Sequence, residues 1–236
     1  MRLLLLSNST NVGEEYLRYP LPHIKKFLGE KPLKCLFIPY AAVTFSFDEY
    51  ERKVKERFKE MGHELVSIHN YKNPVSALQN AEAIVVGGGN TFHLLKLLQQ
   101  NNLIEPIRIM VKNGIPYIGW SAGSNLACPK ISTSNDMPIV EPDGFTGFSL
   151  IPFQINPHYT DFVPVGHAGE TRDQRIEEFL AANPEKVVLG LREGTMLNYE
   201  NGKLSLIGPF LGRVFKYKEV PQDFDCKTDL SFLVKG

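Results

Sequence analysis

Ser121 stands in Gly119-Trp120-Ser121-Ala122-Gly123, a G-x-S-x-G pattern. It follows the apolar run Ile115-Pro116-Tyr117-Ile118 and precedes small residues able to start a helix. Strand, sharp turn, helix is the context in which this pattern forms a nucleophile elbow. Such a turn forces its central residue into a strained backbone conformation, and side chains larger than hydrogen beside it would clash. The serine is then held at the carboxyl edge of a sheet. The Ala122 N–H, at the helix start, faces a developing oxyanion. The chemistry on offer is acyl transfer through a serine. Gly-Ser clusters also form plain turns, and these five residues alone do not separate the two readings.

A serine hydroxyl needs a base within hydrogen-bond reach. Of the six histidines, His158 is placed best. It follows the apolar segment Leu150–Phe153, and Pro157 stiffens the backbone before it and disfavours helix at Asn156. A loop histidine without a role fits the same residues. His23, His63 and His69 read as surface or core polar residues, and His93 is a weak candidate at a helix start. His167, between Gly166 and Ala168-Gly169, reads as a mobile-loop or substrate contact. A histidine base works best when a carboxylate fixes its tautomer. Glu193 closes a strand before Gly194 and is either that carboxylate or a solvated turn residue. Upstream, Gly87-Gly88-Gly89-Asn90 joins a buried strand to a helix and leaves backbone N–H groups free for an anion. Gly88 or Gly89 could supply a second oxyanion donor, and a tight connecting turn satisfies the same residues. The segment lacks both G-x-G-x-x-G and the P-loop Lys-Ser/Thr, which sets nucleotide binding aside.

The elements that must hold these groups alternate. Arg2–Leu6 and Leu33–Pro39 are continuous apolar runs, as expected of strands buried on both faces. Helices are expected over Tyr16–Leu28, from the capping box Ser46–Glu49 to Gly62, and over Thr91–Gln100 and Ile104–Lys112. Glu64–Ile68, Ala83–Val86 and Pro116–Gly119 are the further strands. This βαβ series predicts an α/β fold with a mainly parallel sheet flanked by helices. A second capping box at Thr171–Gln174 starts a helix to about Ala182. Lys186–Leu191, Thr195–Tyr199, Lys203–Ile207 and Arg213–Tyr217 then follow at hairpin spacing, with Asn201-Gly202 as the strongest turn dipeptide. They read as antiparallel strands added at one edge, within one domain spanning residues 1–236.

Composition sets limits on the partners. The chain has 236 residues, 43% hydrophobic and 22% charged, which suits a sizeable core. Lys plus Arg and Asp plus Glu are both 26, so no charge bias favours nucleic acid or an anionic membrane. No apolar run approaches a bilayer span. The opening Met1–Leu6 is too short for the apolar core of a signal peptide, since the run stops at Ser7-Asn8-Ser9-Thr10. Cys35, Cys128 and Cys226 form no metal spacing and no disulfide framework, which points to a reducing cytoplasm.

These residues resemble the peptidase E family of α-aspartyl dipeptidases. The resemblance is carried by Leu5–Thr10, Phe37–Ala41, Val86–Phe92, Tyr117–Gly123, Asn135–Val140, Ile155–His158 and Gly169–Arg172, and it covers nearly the whole chain before about Lys218. It implies a class I glutamine amidotransferase-like, flavodoxin-like three-layer fold, with serine in place of the usual elbow cysteine. It also implies Ser121 as nucleophile, His158 as base, Glu193 as orienting acid, and Gly89 and Ala122 as oxyanion donors. The chain order Ser…His…Glu fits that arrangement, because α/β-hydrolases run Ser…Asp/Glu…His. Family members cleave dipeptides beginning with aspartate. A bidentate arginine best holds a carboxylate, which makes Arg172 the expected side-chain contact. Asp136 is expected to hold the α-ammonium or help close the site, with Gly88 and Asn90 lining the substrate pocket. No metal, cofactor, nucleic acid or membrane is expected, and the chain is expected as a monomer or small homo-oligomer. Competing readings are a cyanophycinase-like hydrolase of β-aspartyl linkages and a non-catalytic module of the same fold.

Overall fold

The computed structural model describes residues 1–166 and 168–235. His167 therefore lies outside the described residues. In chain order the elements are Arg2–Leu6 (β1), Leu21–Leu28 (α1), Lys34–Ile38 (β2), Phe47–Glu60 (α2), Glu64–Ser67 (β3), Pro74–Ala77 (α3) and Ala83–Val86 (β4). Thr91–Gln100 (α4), Ile104–Lys112 (α5), Tyr117–Trp120 (β5), Ala122–Leu126 (α6), Gln154–Tyr159 (β6) and Arg172–Ala182 (α7) follow. The chain closes with Val187–Arg192 (β7), Met196–Glu200 (β8), Lys203–Ile207 (β9), Gly212–Lys216 (β10) and Gln222–Phe224 (β11).

The larger sheet has seven strands in the order β3-β2-β4-β5-β1-β8-β9. The first five are parallel; β8 pairs antiparallel with β1, and β9 pairs antiparallel with β8. Strand β1 shows why the sheet is buried on both faces. Leu3 and Leu5 pack with Leu94, Leu98, Ile107 and Leu126 of the helices on one side. Leu4 and Leu6 pack with Ile24, Phe27, Val54 and Phe58 on the other. Burying each such side chain contributes about 1.5–3 kcal/mol. The carboxyl ends of β1, β2, β4 and β5 therefore reach one common edge, where an open α/β sheet binds its ligands.

Several expected elements differ in extent. The helix expected from Tyr16 starts only at Leu21: Pro20 disfavours helix at Tyr19, and Pro22, with no N–H to donate, is accommodated in the first turn, where that donor has no partner in the helix. Ser46 caps α2 by accepting from the Glu49 N–H, without the reciprocal bond. Thr171 and Gln174 make both bonds of their capping box. At Asn201 (φ 54°) and Gly202 (φ 76°) both turn residues have positive φ, as a type I′ hairpin requires. The C-terminal strands do not all join one edge. β8 and β9 do, whereas β7 and β10 form a second sheet, β11-β10-β7-β6, in which β6 and β7 are parallel. Its outer face is covered by Ile176 and Leu180 of α7, and its Leu189, Leu191 and Val214 join the main core. This second sheet carries the histidine side of the site.

Candidate active site

Strand β5 ends at Trp120, and Ser121 turns the chain into α6 with φ 54° and ψ −114°. A non-glycine residue there stores about 1–3 kcal/mol of strain. The surrounding contacts hold it. Ser121 N–H donates to Leu6 O at 3.1 Å. The Ser124 hydroxyl lies within hydrogen-bond distance of Leu6 O (2.6 Å) and Gly119 O (2.8 Å), and the Tyr117 hydroxyl donates to Gly123 O at 2.6 Å. Gly123 lets α6 lie directly on β4, since a Cβ there would sit 2.3 Å from Val86 O.

His158 is presented by a break in pairing. Pro157 pairs with Leu191 and Tyr159 with Arg192, and His158 between them has no partner in the register and a φ of 53°. The extra residue of such a bulge re-aims one side chain. Ser7, just past β1, fixes it: the His158 N–H donates to Ser7 Oγ at 2.9 Å, and Ser7 Oγ donates to Leu191 O at 2.6 Å. Asn135 Nδ2 donates to Pro157 O at 2.6 Å from the other side. The ring then spans two groups, with Nε2 at 2.8 Å from Ser121 Oγ and Nδ1 at 2.6 Å from Glu193 Oε1. An ionised carboxylate only accepts, so Nδ1 carries the proton and Nε2 accepts from the Ser121 hydroxyl. Glu193 is the first residue after β7, and the following Gly194 N–H is tied to Asn8 Oδ1 at 2.8 Å. The His158–Glu193 contact is open to water, with side-chain exposures of 38% for His158 and 54% for Glu193.

Gly89 has φ 134°, and a Cβ on it would come within 2.2 Å of Ala41 O. Only glycine fits. Among the described residues the N–H groups of Gly89 and Ala122 meet no hydrogen-bond acceptor. Gly88, Gly89, Ser121, His158 and Glu193 share one cavity of about 390 Å³ with Tyr16, Phe45 and Lys53. This combination offers a nucleophile, a base, an orienting carboxylate and anion-binding backbone.

The remaining expected residues sit beside that cavity. Asn90 is the N-cap of α4, its Oδ1 accepting from the His93 N–H at 3.0 Å while its Nδ2 donates to Met137 O at 2.8 Å. Asp136 Oδ2 accepts from the Thr91 N–H at 2.7 Å and the Thr91 hydroxyl at 2.5 Å, which fastens the 134–137 segment to the same helix. Arg172 lines a neighbouring cavity of about 340 Å³ with Thr160, Phe162 and Arg175. Its guanidinium donates to Asn135 Oδ1. Burial, and then the charge of Arg175, lower its pKa, and a bound carboxylate would offset both effects. Asn135 thus connects Arg172 to the backbone that carries His158.

Ser7, Asn8, Asn135 and Lys53 carry no role in the sequence analysis. A signal for two of them was present, because Ser7 and Asn8 are the first polar residues after a buried parallel strand, where α/β folds place their sites. Asn135 falls in a segment that carries the family resemblance, Asn135–Val140, but its contact with the histidine strand is tertiary and nothing local assigns it; Lys53 had no local signal.

Fold and site together define the class: a hydrolytic enzyme of the α/β type, with an elbow serine on the carboxyl edge of its sheet. Residues 3–207 match the profile of peptidase family S51, and the chain belongs to that family. It is 53% identical over 234 residues to peptidase E of a Nostoc species, covering 99% of this chain and 97% of that one. It is 49% identical over 219 residues to peptidase E of Salmonella newport, covering 93% and 95%. A crystal structure of a peptidase from an acI-B1 actinobacterium shares the fold with a TM-score of 0.73 at 20% identity, covering 98% of this chain and 96% of that one. A putative peptidase E from Listeria monocytogenes has a TM-score of 0.65 at 19% identity, covering 88% and 98%. No helix among the described residues is long and apolar enough to cross a membrane.

Proposed function

We propose that residues 1–236 work as one catalytic domain, a serine dipeptidase that hydrolyses Asp-Xaa dipeptides of the cytoplasm. The observation that carries this reading is the continuous hydrogen-bonded chain Ser121–His158–Glu193. Its support for aspartate as the first residue is the placement of Arg172 one residue, Asn135, away from the histidine strand, together with the sequence resemblance to the α-aspartyl dipeptidases.

His158 Nε2 takes the proton of Ser121 as the hydroxyl oxygen attacks the scissile carbonyl carbon. The carbonyl oxygen becomes negative and is met by the N–H groups of Gly89 and Ala122, with Gly88 lining the approach. Glu193 stabilises the imidazolium through Nδ1. The C–N bond then breaks, and the leaving amine takes the proton from His158 Nε2. Water, deprotonated by the same nitrogen, hydrolyses the aspartyl ester and restores Ser121. Arg172 holds the aspartyl side-chain carboxylate. Asp136 and Asn90 act indirectly, by closing the loop that carries Asn135 over the site.

A panel of dipeptides varying the first residue tests the reading. Asp-Leu is expected to be cleaved far faster than Ala-Leu, Glu-Leu or β-Asp-Arg. Preference for β-Asp-Arg or for the branched aspartyl polymer would replace it with a cyanophycinase-like activity. No turnover of any substrate, with no acylation of Ser121, would mean a non-catalytic module.

A further inference from the structure

Trp120 occupies the variable position of the elbow pattern, and its indole N–H donates to the Tyr50 hydroxyl at 3.0 Å. The Tyr50 oxygen also lies 3.0 Å from Gly88 O and 3.3 Å from the Tyr16 hydroxyl. An indole N–H can only donate and a carbonyl can only accept. Tyr50 has one proton, which must go to Gly88 O, so Tyr50 accepts from both Trp120 and Tyr16. The direction of every proton in the chain is therefore set by chemistry. Tyr50 and Trp120 are buried. Burial pushes the Tyr50 phenol up to about 12 and raises Tyr16 as well, so both remain protonated donors at neutral pH.

The Gly88 carbonyl and the Gly89 N–H belong to one planar peptide unit and point in opposite directions. Holding the oxygen aims the N–H. Glycines on both sides of this unit provide no side chain to restrain its rotation. The loop also lies directly on the phenol, since a Cβ on Gly87 would come 2.6 Å from the Tyr50 oxygen.

We infer that Tyr50 is a positioning residue for the oxyanion site: by holding the Gly88 carbonyl it aims the Gly89 N–H, and through Trp120 it links that aim to the turn bearing Ser121. The inference rests on the functional reading above, with Gly89 as donor. A donor held in place before reaction needs no reorganisation as charge develops. Each link, from Tyr16 to Tyr50 to the peptide unit, also polarises the next.

Losing one oxyanion donor outright lowers kcat by about 10²–10³-fold, and a misaimed donor keeps part of its effect, so Tyr50→Phe is expected to lower kcat about 10–50-fold with KM little changed. The discriminating probe is the α-aldehyde of aspartate. Ser121 Oγ bonds to the aldehyde carbon, the C=O electron pair moves to oxygen, and the Ser121 proton moves to His158, giving an adduct that needs the oxyanion donors. 3-Aminopropanoate, which keeps the amine and side-chain carboxylate of aspartate but has no α-carboxyl oxygen to meet those donors, does not. In Tyr50→Phe the aldehyde is expected to lose affinity by the factor lost in kcat/KM, while 3-aminopropanoate inhibits as before. Tyr16→Phe keeps the Trp120 acceptor and the Gly88 donor, and is expected to lower kcat and aldehyde affinity by about 2–5-fold. An unchanged kcat in Tyr50→Phe, or aldehyde and 3-aminopropanoate weakened together, overturns the inference. If Tyr50→Phe does not fold, unchanged aldehyde affinity in Tyr16→Phe overturns it. A wild-type protein that cleaves no aspartyl dipeptide and forms no Ser121 adduct overturns the functional reading, and this inference with it. An active wild type with insensitive variants overturns this inference alone.

Discussion

Replacing Glu193 by Gln keeps the size of the side chain and removes its charge. The bond to His158 Nδ1 is 2.6 Å, which puts the charge centres of an imidazolium–carboxylate pair about 4 Å apart. At that distance the attraction is about 1 kcal/mol in bulk water and about 4 kcal/mol at an effective dielectric constant of 20. With exposures of 38% and 54% the pair lies between those limits, at about 2–3 kcal/mol. All of it acts when His158 is charged, that is, in the transition state and the tetrahedral intermediate. The predicted loss in kcat is therefore about 30–150-fold, smaller than the ~10⁴-fold seen where such a carboxylate is buried. KM should change little. The melting temperature should also change little, because exposed ion pairs contribute about 0–1 kcal/mol to folding. Steady-state hydrolysis of Asp-Leu, with thermal unfolding of both proteins, reads both quantities. A kcat within threefold of wild type would refute the orienting role of Glu193. An equal fall with a large loss of thermal stability would show that the residue acts on the fold.

Arg172→Ala is predicted to lower kcat/KM for Asp-Leu by about 30–10³-fold, as expected for a lost charge-assisted contact, while leaving Ala-Leu unaffected; an unchanged Asp-Leu to Ala-Leu ratio refutes the assignment. Gly123→Ala places a Cβ 2.3 Å from Val86 O, and is predicted to destabilise the protein by about 1–3 kcal/mol or more and to abolish activity; a wild-type melting temperature would contradict the close approach of α6 to β4. In the second sheet, Arg213 pairs with Asp223 at 2.7 Å and holds its carboxyl below the usual value of 3.8, and Asp161 is held down by Arg192. A depressed carboxyl stabilises the fold at pH values above the unfolded pKa, and that stability is lost as pH falls through the folded one. Chemical denaturation should therefore find the wild-type advantage over Arg213→Met steady from pH 7 to 5 and shrinking between about pH 4 and 2; a constant difference down to pH 2 refutes the pairing as its source.

Much of this arrangement is legible in local sequence. Ser46, Thr171 and Asn201-Gly202 are short-range chemical signals, and each acts at its expected position because caps and turns are made within a few residues. The strands β1, β2 and β4 are equally plain, since burial on both faces leaves an unbroken apolar run. The bulge at His158 is different in kind. A residue is extra only relative to a partner strand, and β7 lies some 35 residues downstream, so nothing within Ile155–Tyr159 announces it. The same limit applies to β7 and β10, whose apolar residues suit either sheet. Ser7 and Asn135 act through the backbone of β6, across separations of 151 and 22 residues. The order in which side chains appear is readable in the chain, whereas the contacts that aim them depend on pairing between distant segments.

The central claim is that Ser121 forms a covalent aspartyl ester during turnover. Acid quenching of the enzyme with Asp-p-nitroanilide in the steady state, followed by proteolysis and mass spectrometry, addresses it directly. The aspartyl group is predicted on the peptide containing Gly119–Gly123, attached to Ser121, and absent from Ser121→Ala, which should be folded and inactive. Acylation at another residue, or near wild-type turnover by Ser121→Ala, would contradict the account.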